Sequence, residues 1–182
     1  ARAVRRGGTG CIALLESTQT SYNTSDLAII HAIQDVLREH NMHLTFARMT
    51  PAELTDGTLF AQRLTEYMAD GLLVAMGIAI PEGFTEILER YRVPAVWFNT
   101  RRSTDCVMLD DLQAGRDLTQ HLLELGHQRI LYAASLHAGP YHYSRDDRPA
   151  GYCAAMNAAG LEPFVQILEA GSSLDLLDFA RQ

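Results

Sequence analysis

CVMLDDLQAGRDLTQHLLELGHQRILYAA, residues 106–134, sets a strand-like apolar run, a helical stretch and a second strand-like run end to end. The helical part, Leu112–Leu125, places Leu118, Leu122 and Leu125 at helical spacing, which predicts that they pack on a sheet. Gly126 follows, a residue that readily takes the left-handed conformation after a helix end. Gly115 within it suits a close approach of helix to sheet. Two adjacent carboxylates, Asp110 and Asp111, stand where the first strand gives way to the helix. They can cap the helix by accepting its free N–H groups, or one of them can face a pocket.

The same alternation extends in both directions. Strand-like runs occur at 11–17, 43–47, 71–76, 93–99, 107–110, 129–134 and 165–170. Between them lie helical patterns at 26–40, 57–69, 84–91, 112–125 and 147–159. Near-continuous apolar strands separated by amphipathic helices predict an α/β fold with a doubly wound parallel sheet covered on both faces. In such sheets ligands collect beyond the carboxyl ends of the strands. That draws attention to the segments 17–25, 76–81, 99–103, 110–111 and 135–148.

Composition narrows the chemistry. The 182 residues are 47% hydrophobic and 20% charged, as in a water-soluble globular chain. No apolar run approaches the ~20 residues of a membrane span, so no membrane partner is expected. A formal charge of -7 argues against this segment itself binding nucleic acid, although Arg2, Arg5 and Arg6 cluster at its start. Cys11, Cys106 and Cys153 are odd in number and contain no CxxC pair, which fits small buried residues in a reducing compartment such as the cytoplasm.

The sequence holds no phosphate loop, no GxGxxG, no GxSxG and no HExxH. His137 and His142 share a polar, aromatic segment but have no well-spaced carboxylate for a metal. Neither a catalytic residue nor a metal nor a cofactor is therefore expected. Arg145 and Arg148 stand three apart at a helix start. They are either a solvated ion-pair cluster with Asp146 and Asp147 or a fork for a hydroxyl-rich or anionic ligand.

In order along the chain, several short motifs resemble those of the effector-binding part of LacI/GalR-family transcription regulators. ADGLLVA (69–75) is similar to that family's VDGLI strand, and VPAVWFN (93–99) to its IPVVxID strand. VMLDDLQAG (107–115) resembles VxxDNxxAG, LLELGHQRI (122–130) resembles LxxLGHxxI, and RPAGYCAAM (148–156) resembles RxxGYxxAL. ARAVRRGGTGCIALL resembles the tail of a hinge helix and its linker. The resemblance implies two Rossmann-like lobes of the periplasmic-binding-protein type I kind, the second incomplete here. On it, 1–10 is a hinge remnant and 11–104 the amino-terminal lobe. Residues 105–127 are an edge strand and helix leading to the crossover, and 128–182 part of the second lobe.

It also implies a small carbohydrate-like effector between the lobes, a homodimer, and operator DNA bound through an amino-terminal helix-turn-helix outside this sequence. Asp110 and Arg148 match family positions that hydrogen-bond sugar hydroxyls, with Arg145 beside them. Asp111 stands where many members have asparagine; of the two carboxylates, Asp110 is expected to face the cleft as a ligand acceptor and Asp111 to serve the helix start. Where many members carry NPFF in the first βα loop, this chain reads Asn23-Thr24-Ser25-Asp26, so short polar groups replace the stacking aromatics; Tyr22, just before them, is the candidate substitute. Two other readings share the fold: a periplasmic sugar-binding protein, and an α/β enzyme. Substituting Asp110 or Arg148 by alanine is expected to weaken effector binding at little cost in stability.

Overall fold

The structure, a computed structural model, describes residues 8–18, 27–77, 80–136 and 142–169. It divides into two units, Ala1–Met108 and Leu109–Gln182. In the first, β1 (Cys11–Ser17), β2 (His43–Met49), β3 (Gly71–Val74), β4 (Ala95–Phe98) and β5 (Cys106–Val107) form one sheet in the order β2-β1-β3-β4-β5. Every pairing is parallel, as the β–α–β pattern predicts. Its interior strand β1 is buried along almost its whole length, which requires cover on both faces.

The helices of this unit are α1 (Leu27–Glu39), α2 (Pro51–Thr55), α3 (Gly57–Glu66) and α4 (Phe84–Tyr91). The short α2, absent from the sequence expectation, arises from local chemistry. Thr50 accepts from Glu53 N–H, Glu53 returns a bond to Thr50 N–H, and Pro51 fits the first turn, where no N–H is needed. Asp56 then breaks the chain and caps α3 through Thr58 and Leu59 N–H. The core joins Leu15, Met49, Leu54, Val74 and Met76 to an edge-to-face aromatic run. Phe60 meets Phe84 at 5.5 Å and Phe84 meets Trp97 at 5.9 Å between ring centroids.

One carboxylate fixes the entry of the chain into this sheet. Asp70, just before β3, accepts Thr9 N–H at 2.9 Å and Gly10 N–H at 2.6 Å. The Thr9 N–H above all holds its pKa below the usual carboxylate value, against the desolvation that raises it.

The second unit contains β6 (Leu131–Leu136) and β7 (Phe164–Glu169), paired in parallel, with α5 (Asp111–Glu124) and α6 (Ser144–Ala158) packed on each other. The segment 105–127 thus divides: β5 completes the first sheet, whereas α5 makes its contacts with α6. A Cβ on Gly115 would lie 2.2 Å from the Arg148 carbonyl oxygen, and one on Gly151 would lie 2.0 Å from that of Leu112. The glycine therefore serves an approach of helix to helix, not of helix to sheet.

This crossing also overturns the expected packing face. Leu118 and Leu125 are 65% and 62% exposed and Leu122 is half-buried, while Asp111 and Thr119 are buried. The face inward is the one that backbone can approach, carrying Asp111, Gly115 and Thr119. From α6, the buried Tyr152 hydroxyl donates to Ile130 O at 2.6 Å and accepts Phe164 N–H at 2.7 Å, tying the helix to the approaches of both strands.

Candidate functional site

Asp110, which closes the strand-like run 107–110, and Asp111 after it have different fates, each set by backbone. Only Cys106 and Val107 pair with β4, so Met108–Asp110 leave the sheet before the helix begins. Asp110 is the residue before the first helical turn, and its Oδ1 accepts Gln113 N–H at 2.9 Å. Asp110 itself is exposed. Asp111 is the first helical residue and turns inward, 2% exposed, where its Oδ1 takes the Nε–H of Arg148 at 2.6 Å. The capping oxygen thus belongs to Asp110, and the expected assignment of the cap to Asp111 is corrected. The cause is the helix start, which lies one residue earlier than the leucine pattern suggested.

Arg148 reaches Asp111 from the second turn of α6, and 51% of its side chain is exposed. Among the described residues that ion pair is the guanidinium's one bond, made through the nitrogen nearest the stem. Asp111 Oδ2 is buried and has no hydrogen-bond partner among the described residues. Tyr132 on β6 lies within range of both charges. Burial pushes its phenol pKa up, Arg148 draws it down and Asp111 pushes it up again. Tyr143, buried beside His142, receives the Leu109 N–H on its hydroxyl at 3.3 Å, which steadies the approach to Asp110.

The structure thus brings Arg148 to Asp111, while the bond shown for Asp110 is to Gln113 N–H. Arg145 is exposed at the start of α6 and takes no part in the ion pair. Tyr22, Asn23, Ser25 and Asp26 lie outside the described residues. The Arg148–Asp111 partnership went unread because it depends on which faces of two helices meet. Its signal was the pair of mid-helix glycines, Gly115 and Gly151, which mark the crossing.

Elsewhere in the first unit, a cavity of about 440 Å³ is lined by Leu88, Arg92, Val93, Trp97 and Arg102 among others. The Arg102 guanidinium stacks over the Trp97 ring at 4.2 Å. The cavity runs along the start of β4, away from the carboxyl ends where parallel sheets gather ligands. At those ends, the Thr100 hydroxyl donates to Gly77 O at 3.4 Å, joining the segments after β3 and β4. Among the described residues no cluster of three His, Cys, Asp or Glu could hold a metal, and no helix is long and apolar enough to cross a membrane.

Comparison with known proteins gives this arrangement its context. Residues 11–174 match the family described as periplasmic binding proteins and sugar binding domain of LacI family. The maltose regulon regulatory protein MalI of Escherichia coli (strain K12) is 32% identical over 127 residues, which are 65% of this chain and 36% of that protein. A regulatory protein of LacI family from Chloroflexus aggregans shares the fold with a TM-score of 0.64 at 17% identity, over 94% of this chain and 60% of its own. The transcription regulator GntR from Chromobacterium violaceum aligns with a TM-score of 0.59 at 26% identity, over 92% and 63% of the two chains. The chain therefore spans about a third of the curated relative and under two thirds of these structures. With most of its length matched by the family model, the chain belongs to the family of periplasmic binding proteins and LacI-type sugar-binding domains.

Proposed function

We propose that the chain is the effector-binding part of a cytoplasmic, homodimeric transcription regulator, a repressor, that senses a small carbohydrate-like molecule without transforming it. The observation that carries this is the presentation of Arg148. One nitrogen of its guanidinium is anchored on Asp111 and half of the side chain faces solvent. Donors on a planar fork next to a carboxylate acceptor suit a molecule whose hydroxyls both accept and donate. The relatives support a regulator over an enzyme or a transport protein, since MalI is named a regulatory protein and the Chromobacterium violaceum protein a transcription regulator. We also propose Asp110, Tyr22, Asn23, Ser25, Asp26 and Arg145 as effector contacts.

Operator DNA is reached through a separate helix-turn-helix, and two-fold operator half-sites call for a dimer. The effector acts by its differential affinity for two conformations of the regulator, which shifts their populations and so the DNA affinity. The test is a thermal-shift screen of the full-length regulator against monosaccharides, disaccharides, sugar phosphates and nucleosides. A ligand at 100 times its Kd stabilises by about 2.7 kcal/mol. We expect a sugar to respond and Arg148→Ala to lose the response. A nucleoside responding alone, or a sugar response intact in Arg148→Ala, would overturn the reading.

A further inference from the structure

The second unit keeps a charge where stability does not ask for one. Asp111 is 2% exposed, yet one of its oxygens has no hydrogen-bond partner among the described residues. An open buried acceptor costs stability, and a neutral or apolar replacement for a buried ion pair often holds helices together as well or better. The position at the start of α5 eases the cost, because the helix dipole favours an anion there. The carboxylate's effect falls on Arg148.

Asp111 grips the guanidinium by Nε at 2.6 Å and leaves the two Nη groups on a side chain that is 51% exposed. Those groups remain hydrogen-bond donors, but their positive charge has a counter-charge at contact distance. Seen from a third charge, such a pair is close to neutral, whereas its N–H dipoles act at short range undiminished. Further carboxylates are its neighbours along the chain: Asp110 precedes Asp111, and Asp146 and Asp147 precede Arg148 in the first turn of α6, after Arg145. An arriving phosphate meets carboxylates of its own sign. A hydroxyl accepts from the guanidinium and donates to a carboxylate.

We infer that Asp111 is a positioning and specificity-determining residue of the effector site: it holds Arg148 by Nε and cancels its charge, so the site takes neutral polyhydroxylated effectors and rejects phosphorylated ones. The inference rests on Arg148 being an effector contact. Opposite signs of influence from Arg148 and Asp111 on the neighbouring Tyr132 phenol fit the same compensation.

The experiment titrates the full-length protein with inorganic phosphate, and with glucose and glucose 6-phosphate as a matched pair, by calorimetry at low salt. It compares wild type, Asp111→Asn and Asp111→Asn/Arg148→Ala. Asparagine keeps the shape and the acceptor for Nε–H while removing the charge. Asp111→Asn is expected to gain about tenfold or more in affinity for both phosphates, of the order that one uncompensated charge supplies. The double variant should lose that gain. No gain in Asp111→Asn overturns the inference, as does a gain that survives Arg148→Ala, or a wild type that already binds phosphate as tightly. Failure of the underlying reading looks different: the sugar found by the thermal screen would then bind Arg148→Ala as well as wild type. Should Asp111→Asn not fold, wild type and Arg148→Ala decide. Phosphate binding that depends on Arg148 refutes the inference, and a preference of about tenfold for the neutral sugar over its phosphate upholds it.

Discussion

Arg148 and Asp110 were both expected to tolerate alanine, and the contacts revise that for each. Arg148→Ala leaves the Asp111 carboxylate buried with no partner among the described residues, so it should cost about 1–3 kcal/mol in urea unfolding as well as effector binding. The half-exposed guanidinium keeps the figure below that of a fully buried pair. The structural cost should shrink when Asp111 is made asparagine in the same chain, which a double-mutant cycle measures. Asp110→Ala removes a helix cap and should cost about 1 kcal/mol. Asp110→Ser keeps a capping oxygen and should recover most of that stability while leaving the effector-binding defect, separating the two roles. From sequence, only the presence of these side chains was legible. Which of two adjacent aspartates caps depends on the φ and ψ of a single residue, and no spacing carries that information.

At the scale of elements, the alternation of strands and helices was legible because periodicity is a local property, and β1 and α4 fall where the pattern put them. The inward face of α5 was not. Leucines at helical spacing pointed one way, but the close crossing at Gly115 and Gly151 selects a face by shape, and Leu118 stays exposed. Gly115→Ala therefore tests shape against propensity. In an exposed helix the change would stabilise by up to about 1 kcal/mol. Here the added methyl meets backbone and should destabilise by about 1–3 kcal/mol or more, read as a lowered denaturation midpoint. Alanine at 115 that raises the midpoint would refute the crossing. Asp70 offers a second test at this scale. Its folded pKa is depressed, so its contribution is fully present above the unfolded value of about 3.9 and is lost as pH falls through the lower, folded value. Wild type should exceed Asp70→Asn in stability at neutral pH, and the gap should close on acidification below about pH 4.

Over the whole molecule, the parallel five-stranded order followed from β–α–β logic before any contact was known, since parallel neighbours need a crossover. The candidate site was legible only in part. Its arginine and aspartates lie on two helices far apart in sequence, and their meeting is a tertiary fact. Net charge belongs to this scale as well. With 22 acidic against 15 basic residues, the chain alone should show no DNA binding at physiological salt in a mobility-shift assay. Retardation by this segment alone would contradict the division of labour proposed here.

The Thr9 and Gly10 amides, closed around the Asp70 carboxylate, have a mechanical corollary. A tug arriving along the backbone at residue 8 does not peel β1 away by its end. It is shared at once with the start of β3, next to β1 in the sheet, so the load falls on two strands in shear.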